Sequence, residues 1–340
     1  MSSHALRRNP TWRGAHPGLP EFIPAPAEQS RMLQNAAGRA GSVFIARMNG
    51  VAGPFARLDP ADGGPGIFLK WVPAARVPHL IRAEAIAHWL VDAGQPASAC
   101  LAGFPRPLRD DQVLFAYRHL DGRRPRAEEV DLRILGSALA RLHAALASHP
   151  DRVLFEAATR RRLAALQQVR EDLASGRLRV GPHPEALQRL AAASEIDFSG
   201  TEEAATPLHG DLNLGNLLIL EAGPVFLDFE DTLHSVLPVS HELALVIERI
   251  LLASPLDEAD TVELGGAFLD AYRLAGGCWR PPEPDALHRV LRGLALRSLC
   301  VLALCEREGT EIVRDEWRKF HTFESLARDR RETLRRIVEG

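Results

Sequence analysis

Residues 216–228 break an otherwise helical second half of the chain. Asn216-Leu217-Leu218-Ile219-Leu220 and Pro224-Val225-Phe226-Leu227-Asp228 are short apolar runs separated by Glu221-Ala222-Gly223. Two such runs around a glycine-containing three-residue turn predict a β-hairpin. Antiparallel pairing brings the first residue of one strand to the last of the other, so Asn216 and Asp228 meet at the hairpin's open end. Two oxygen donors there suit Mg²⁺, which takes few protein ligands and fills its shell from phosphate and water. Asp211 lies five positions before Asn216, on the loop His209-Gly210-Asp211-Leu212-Asn213-Leu214-Gly215, where it can face a hydroxyl approaching a metal-bound phosphate. Phosphoryl transfer needs those parts, together with a cation on the phosphates.

The cation search is narrow because the chain holds 41 Lys and Arg, of which only Lys70 and Lys319 are lysines. Such arginine bias strips single arginines of meaning and makes a well-placed lysine informative. Lys70 sits in Gly66-Ile67-Phe68-Leu69-Lys70-Trp71-Val72, a strand pattern after the turn Asp62-Gly63-Gly64-Pro65. Leu80, Ala83, Ile86, Trp89 and Leu90 then recur at helical spacing up to Gly94 and Pro96, with Glu84 inside that helix. Val43 to Met48 reads as an earlier strand, and Gln112 to Tyr117 as a later one behind the turn at Asp110-Asp111. Leu132, Leu135, Leu139, Leu142 and Leu146 predict a helix with Asp131 as its cap, and further helices are expected around 158–174, from 241, and over 258–274, 284–306 and 311–338.

His209-Gly210-Asp211-x-x-x-x-Asn216 followed by Leu227-Asp228-Phe229-Glu230 resembles the catalytic and metal-binding loops of the aminoglycoside phosphotransferase and choline kinase family. The likeness covers roughly residues 30–335. It implies an α+β, bilobal protein-kinase-like fold with a small β-rich N-lobe and a larger helical C-lobe. The boundaries it implies are a 1–28 extended or disordered arm, a 29–117 nucleotide-binding N-lobe, and a 118–340 C-lobe carrying the catalytic loop and acceptor-binding helices.

By the same resemblance, Lys70 holds the α- and β-phosphates of ATP and Glu84 orients it. Ser42, after Gly38-x-x-Gly41, belongs to a phosphate-covering turn, and backbone groups of the hinge around Ala116 and Arg118 take the nucleobase. Asn216 and Asp228 bind Mg²⁺, and Asp211 is the base. His209 braces the loop. The implied reaction moves the γ-phosphoryl group of ATP to a hydroxyl of a small molecule. A catalytically silent, kinase-like nucleotide-binding module that regulates a partner is the alternative.

Some positions depart from the family pattern. Asn213 stands where many relatives carry His, Glu230 replaces the usual Gly, and Glu242 in Pro238-Val239-Ser240-His241-Glu242 stands where Asp is usual. Other classes lose on detail. There is no nucleophile elbow for a serine hydrolase, no His cluster for a metal hydrolase, and no His-Arg-Asp loop for a protein kinase proper.

Composition excludes further classes. A net charge of −3 gives no basic field for nucleic acid or anionic lipid. No apolar run follows the N-terminus, and the run from Val290 to Cys305 is broken by Arg292 and Arg297. A cytoplasmic protein without membrane or nucleic-acid partners is expected, its four cysteines buried free thiols in a reducing compartment. The acceptor is less constrained. Residues 271–340 carry 14 Lys and Arg against 11 Asp and Glu, which is not an acidic field for a polycation. Trp279, Trp317 and Phe320 are expected to pack rather than to form a cation cage.

Overall fold

The computed structural model describes residues 21–48, 51–109, 111–197 and 204–340. They form two compact units. One comprises the described part of residues 16–125 with residues 214–231, and the other residues 126–213 and 232–340.

The first unit is built on a six-stranded antiparallel sheet. Its elements are β1 (Glu21–Pro24), α1 (Ala27–Ala37), β2 (Gly41–Met48), β3 (Val51–Pro60), β4 (Ile67–Pro73), α2 (Val77–Asp92), β5 (Arg106–Arg109) and β6 (Gln112–Arg118). The strand order is β1-β2-β3-β4-β6-β5. The arm expected over 1–28 is corrected from Glu21 onward, because Phe22 and Ile23 pair with Ala46 and Ile45 and α1 buries Leu33. Residues 1–20 and Asp110 lie outside the described residues. β3 is hidden in the sequence by Gly53 and Pro54, and the ladder accommodates them where β2 and β3 shift register between Ile45 and Arg47.

Alternation along β4 decides where its lysine points. Ile67 and Leu69 join Leu33, Val43, Leu58 and Ala116 in the core under α1. Val72 joins Leu80 of α2, Cys100 and Phe115 on the other face. Lys70 shares that second face, the one α2 covers.

The hairpin forms with a tighter turn than expected: β7 (Leu217–Leu220) pairs with β8 (Gly223–Phe226), Leu217 opposite Phe226, so that Gly223 opens the second strand and Asn216 and Asp228 lie just outside the two strands. The sequence reading gives it to the C-lobe and ends the N-lobe at 117, whereas the structure groups it with the first unit. Backbone bonds are the reason. Arg123 and Ile219 exchange N–H···O bonds of 3.0 and 2.7 Å, Ser98 N–H donates to Phe226 O at 3.0 Å, and Phe226 N–H donates to Pro96 O at 2.8 Å.

The second unit is helical. It contains α3 (Glu129–Ala147), α4 (Arg152–Ala174), α5 (Pro184–Ala192), α6 (Ser240–Val246), α7 (Glu258–Leu274), α8 (Ala286–Arg307), α9 (Arg314–Asp329) and α10 (Arg331–Glu339). α6 continues as a π-helix over Ile247–Leu252, and a short ladder pairs Ala205–Pro207 with Val236–Pro238. The leucine stripe of α3 is fully buried. Its Gly136 lets α7 approach, since a Cβ there would sit 2.5 Å from the Phe268 carbonyl. Asp131 is not the cap. It lies inside the first turn and accepts the Arg126 N–H at 2.8 Å. The single helix expected over 311–338 is two, parted at Arg330.

Trp317 packs with Leu166, Val169, Leu296 and Leu299, and Trp279 is also buried, so both tryptophans fill core. All four cysteines are free thiols. Cys100 and Cys300 are buried, which pushes their pKa up to about 11 and about 12, while Cys278, expected to be buried, is exposed. Among the described residues no helix is long and apolar enough to cross a membrane.

Candidate active site

The first unit gathers a charge cluster around Lys70. Its Nζ donates to Asp228 Oδ2 at 3.1 Å and to Glu230 Oε1 at 2.9 Å. Burial works against the ammonium charge, but the carboxylates of Asp228 and Glu230 outweigh it and raise the lysine's pKa. Glu230 uses its second oxygen as well. Arg76, from the turn Ala74–Arg76 between β4 and α2, donates to Oε2, and His79 Nε2 lies 3.9 Å from the same atom.

At the hairpin's open end Asn216 faces Leu227 rather than Asp228. Leu227 N–H donates to Asn216 O at 2.9 Å, extending the β7–β8 ladder by one rung and leaving Asp228 as the next residue. Asp228 has φ +62°, the one positive φ outside glycine among the described residues. A carboxylate held in the left-handed region costs backbone energy of about 1–3 kcal/mol, which marks it as a candidate functional position. Its side chain is 38% exposed and Asn216 is half-buried. Among the described residues no three His, Cys, Asp or Glu side chains group to hold a metal. Asn216 and Asp228 are hard oxygen donors of the kind Mg²⁺ takes.

Glu84 does not pair with Lys70. Its carboxylate accepts Tyr117 Oη at 2.6 Å and the Cys100 N–H at 2.8 Å, and lies under α2 rather than at the cluster. Burial raises its pKa, against those two bonds and the nearby charge of Lys70. The reason for the correction is local: Glu230 and Asp228 already occupy the ammonium, and Tyr117 and Cys100 occupy Glu84.

Ser42 is likewise apart from Lys70. It opens β2 opposite Asp59, whereas Lys70 pairs with Phe55, four residues along β3 and roughly 13 Å away at strand rise. Both glycines beside it have structural uses. Gly38 is the left-handed C-cap of α1, and a Cβ on Gly41 would sit 2.1 Å from the Asp59 carbonyl.

At the hinge, Ala116 lies inside the sheet and its carbonyl accepts the Leu101 N–H at 2.7 Å. Arg118 is differently placed. His119 N–H bonds Gly66 O at 2.8 Å beside the Ile67–Arg118 pair, so the backbone N–H and C=O of Arg118 point away from β4. An open depression of about 550 Å³ follows, lined by Asp121, Gly122, Arg123, Ile219, Leu220 and Glu221.

The second unit holds the loop His209 to Asn213. Gly210 takes φ +91°, a conformation glycine adopts without strain, and its N–H donates to Glu242 Oε1. Glu242 Oε2 is 2.8 Å from His143 Nε2, and His143 Nδ1 is 2.9 Å from Tyr272 Oη. All are buried. Burial alone would push the Glu242 pKa up, but the His143 bond, the charges of His143 and His209 and the Gly210 amide hold it below the usual glutamate value. Thr232 Oγ1 donates to His209 O at 3.0 Å, fixing the loop from the other side. Asp211 is exposed, and Asn213 Nδ2 donates to its Oδ2 at 2.8 Å.

A six-stranded sheet with a lysine strand, a helical second unit, and a hairpin ending in a strained aspartate define a protein-kinase-like phosphotransferase fold. The profile of the family described as "Phosphotransferase enzyme family" (APH) matches residues 55–288, and the chain belongs to that family. It is a phosphotransferase with an alcohol group as acceptor.

Solved structures share the fold. An amicoumacin kinase determined with AMP-PNP, Ca²⁺ and its antibiotic is 16% identical at TM-score 0.57, covering 90% of this chain and 94% of that one. The choline kinase LicA of Streptococcus pneumoniae is 11% identical at TM-score 0.58, covering 89% and 100%. A type I macrolide 2'-phosphotransferase is 17% identical at TM-score 0.54, covering 91% and 98%. No protein of curated function matches the sequence.

Arg76 and His79 are the cluster members that sequence reasoning missed. Arg76 lies in a chain with 41 Lys and Arg, and only the proximity of both to Glu230 singles them out.

Proposed function

We propose that the protein is a cytoplasmic small-molecule kinase that transfers the γ-phosphoryl group of ATP to a hydroxyl of its acceptor. The observation that carries this reading is the Lys70 ammonium on Asp228, itself held in a strained backbone conformation one rung beyond Asn216. An adenine-nucleotide analogue and a divalent cation in the amicoumacin kinase support the same donor chemistry.

In this reading, the first unit binds the nucleotide. Lys70 neutralises phosphate charge, and backbone groups of the hinge around Ala116 and Arg118 meet the nucleobase. Asn216 and Asp228 would hold Mg²⁺, which supplies charge neutralisation on the phosphates when bound. Asp211 accepts the acceptor hydroxyl's proton and aligns its oxygen, while Asn213 holds that carboxylate in one orientation. Gly210, Glu242 and Thr232 keep the loop in place. The helices of the second unit supply the acceptor surface.

The test is an acceptor screen with purified protein, γ-labelled ATP and Mg²⁺, spanning aminoglycosides, macrolides, amino alcohols, sugars and nucleosides. The reading expects label on at least one hydroxyl and its loss when Mg²⁺ is omitted. Nucleotide binding with no label on any acceptor, and no ATP hydrolysis above blank, would favour the silent regulatory module.

A further inference from the structure

Resting on the nucleotide reading above, we infer that Glu230 fixes Lys70 and Arg76 into one two-cation clamp for the donor's phosphate chain. Each oxygen of Glu230 is used by a different cation, Oε1 by Lys70 at 2.9 Å and Oε2 by Arg76. A carboxylate spans only about 2.2 Å between its oxygens, so one rigid group sets the spacing of an ammonium and a guanidinium. The glutamate is mostly buried, with its side chain 17% exposed, whereas Arg76 is 55% exposed and presents the rest of its fork outward.

The anchoring is local. Arg76 sits six residues beyond Lys70, in the turn that leaves β4, and Glu230 two residues beyond Asp228. The two cations therefore approach from one side of the sheet's lysine strand and the carboxylate from the hairpin's end. Glu84 is engaged by Tyr117 and Cys100, so the positioning of Lys70 falls to the hairpin rather than to α2. Guanidinium and ammonium differ usefully on phosphate: Arg76 can present two parallel N–H donors, Lys70 a compact point charge.

The clamp makes a prediction of sign. If Glu230 were only a nearby negative charge, Glu230→Gln would remove repulsion and tighten phosphate binding. As the residue that positions both cations, its loss weakens it instead.

The experiment compares Mg·ATP and adenosine binding by calorimetry for wild type, Arg76→Ala and Glu230→Gln, with melting temperatures alongside. Arg76→Ala is expected to lose about tenfold in ATP affinity, the scale of one hydrogen bond to a charged group, with adenosine unchanged. Glu230→Gln is expected to lose at least about fivefold for ATP and nothing for adenosine. Arg76 is exposed, so that variant reads the clamp even where Glu230→Gln melts early. ATP affinity within twofold of wild type for Arg76→Ala, or tighter binding by a folded Glu230→Gln, overturns the clamp and leaves the kinase reading standing. Wild type binding ATP no better than adenosine overturns both.

Discussion

Two carboxylates in this molecule do opposite things with the same chemistry. Glu230, in the first unit, holds Lys70 and Arg76 where side chains are 15–55% exposed. Glu242, in the second, holds the Gly210 amide and His143 at 1% exposure, with Tyr272 closing the chain behind His143. At the first, Lys70 and Glu230 are mostly buried and only Arg76 stands in water. Partners at the second have no substitute.

Breaking the Glu242 site has the largest expected effect. Glu242→Ala strands the buried His143 ring and leaves the half-buried Gly210 amide without its acceptor, and about 3–5 kcal/mol of stability is expected to go. Thermal or denaturant unfolding measures it. The sign of its pH dependence also follows. The folded pKa of Glu242 lies below the ordinary 4.5, so its stabilisation is present above that value and is lost as pH falls through the folded pKa. Wild type should show that acid-side loss, and the variant should lack it.

The Lys70 cluster is expected to respond the other way round. Lys70→Met should cost roughly 10²-fold in turnover, the scale of removing one preorganised donor from a developing charge, with little change in melting temperature. A variant that melts far lower yet turns over normally would make Lys70 a structural ion-pair residue.

Glu84 sharpens the contrast with the smallest effect. Its folded pKa is raised above the ordinary 4.5 by burial, so protonation favours the fold, and that contribution is present below 4.5 and lost as pH rises through the folded pKa. Glu84→Gln should remove this component from the stability profile, change stability at neutral pH by no more than about 1 kcal/mol, and leave ATP affinity unchanged.

Particular residues show what the sequence can reveal. The hairpin around Glu221-Ala222 was legible because turn chemistry between two short apolar runs fixes it. The α3 stripe and the β4 strand were legible from periodicity. Ser42 was not, because a Gly-x-x-Gly-Ser string looks alike at a phosphate turn and at a helix cap leading into a strand. Only the pairing of β2 with β3 tells them apart.

Choosing between Glu84 and Glu230 as the partner of Lys70 needed three-dimensional reach, since Tyr117 and Cys100 compete for Glu84. β1 and α1 were obscured by the prolines around them, and β3 by Gly53 and Pro54. Local breakers masked elements that tertiary pairing stabilises.

The central claim is that Asp211 serves proton transfer and acceptor alignment on a chain that catalyses phosphoryl transfer. The direct measurement is Asp211→Asn against wild type in one preparation, reading Mg·ATP affinity, melting temperature and turnover, with slow ATP hydrolysis standing in until an acceptor is found. Unchanged affinity and stability with turnover down roughly 10²-fold or more is the predicted result. Equal hydrolysis by both proteins, with no hydroxyl phosphorylated by either, would contradict it.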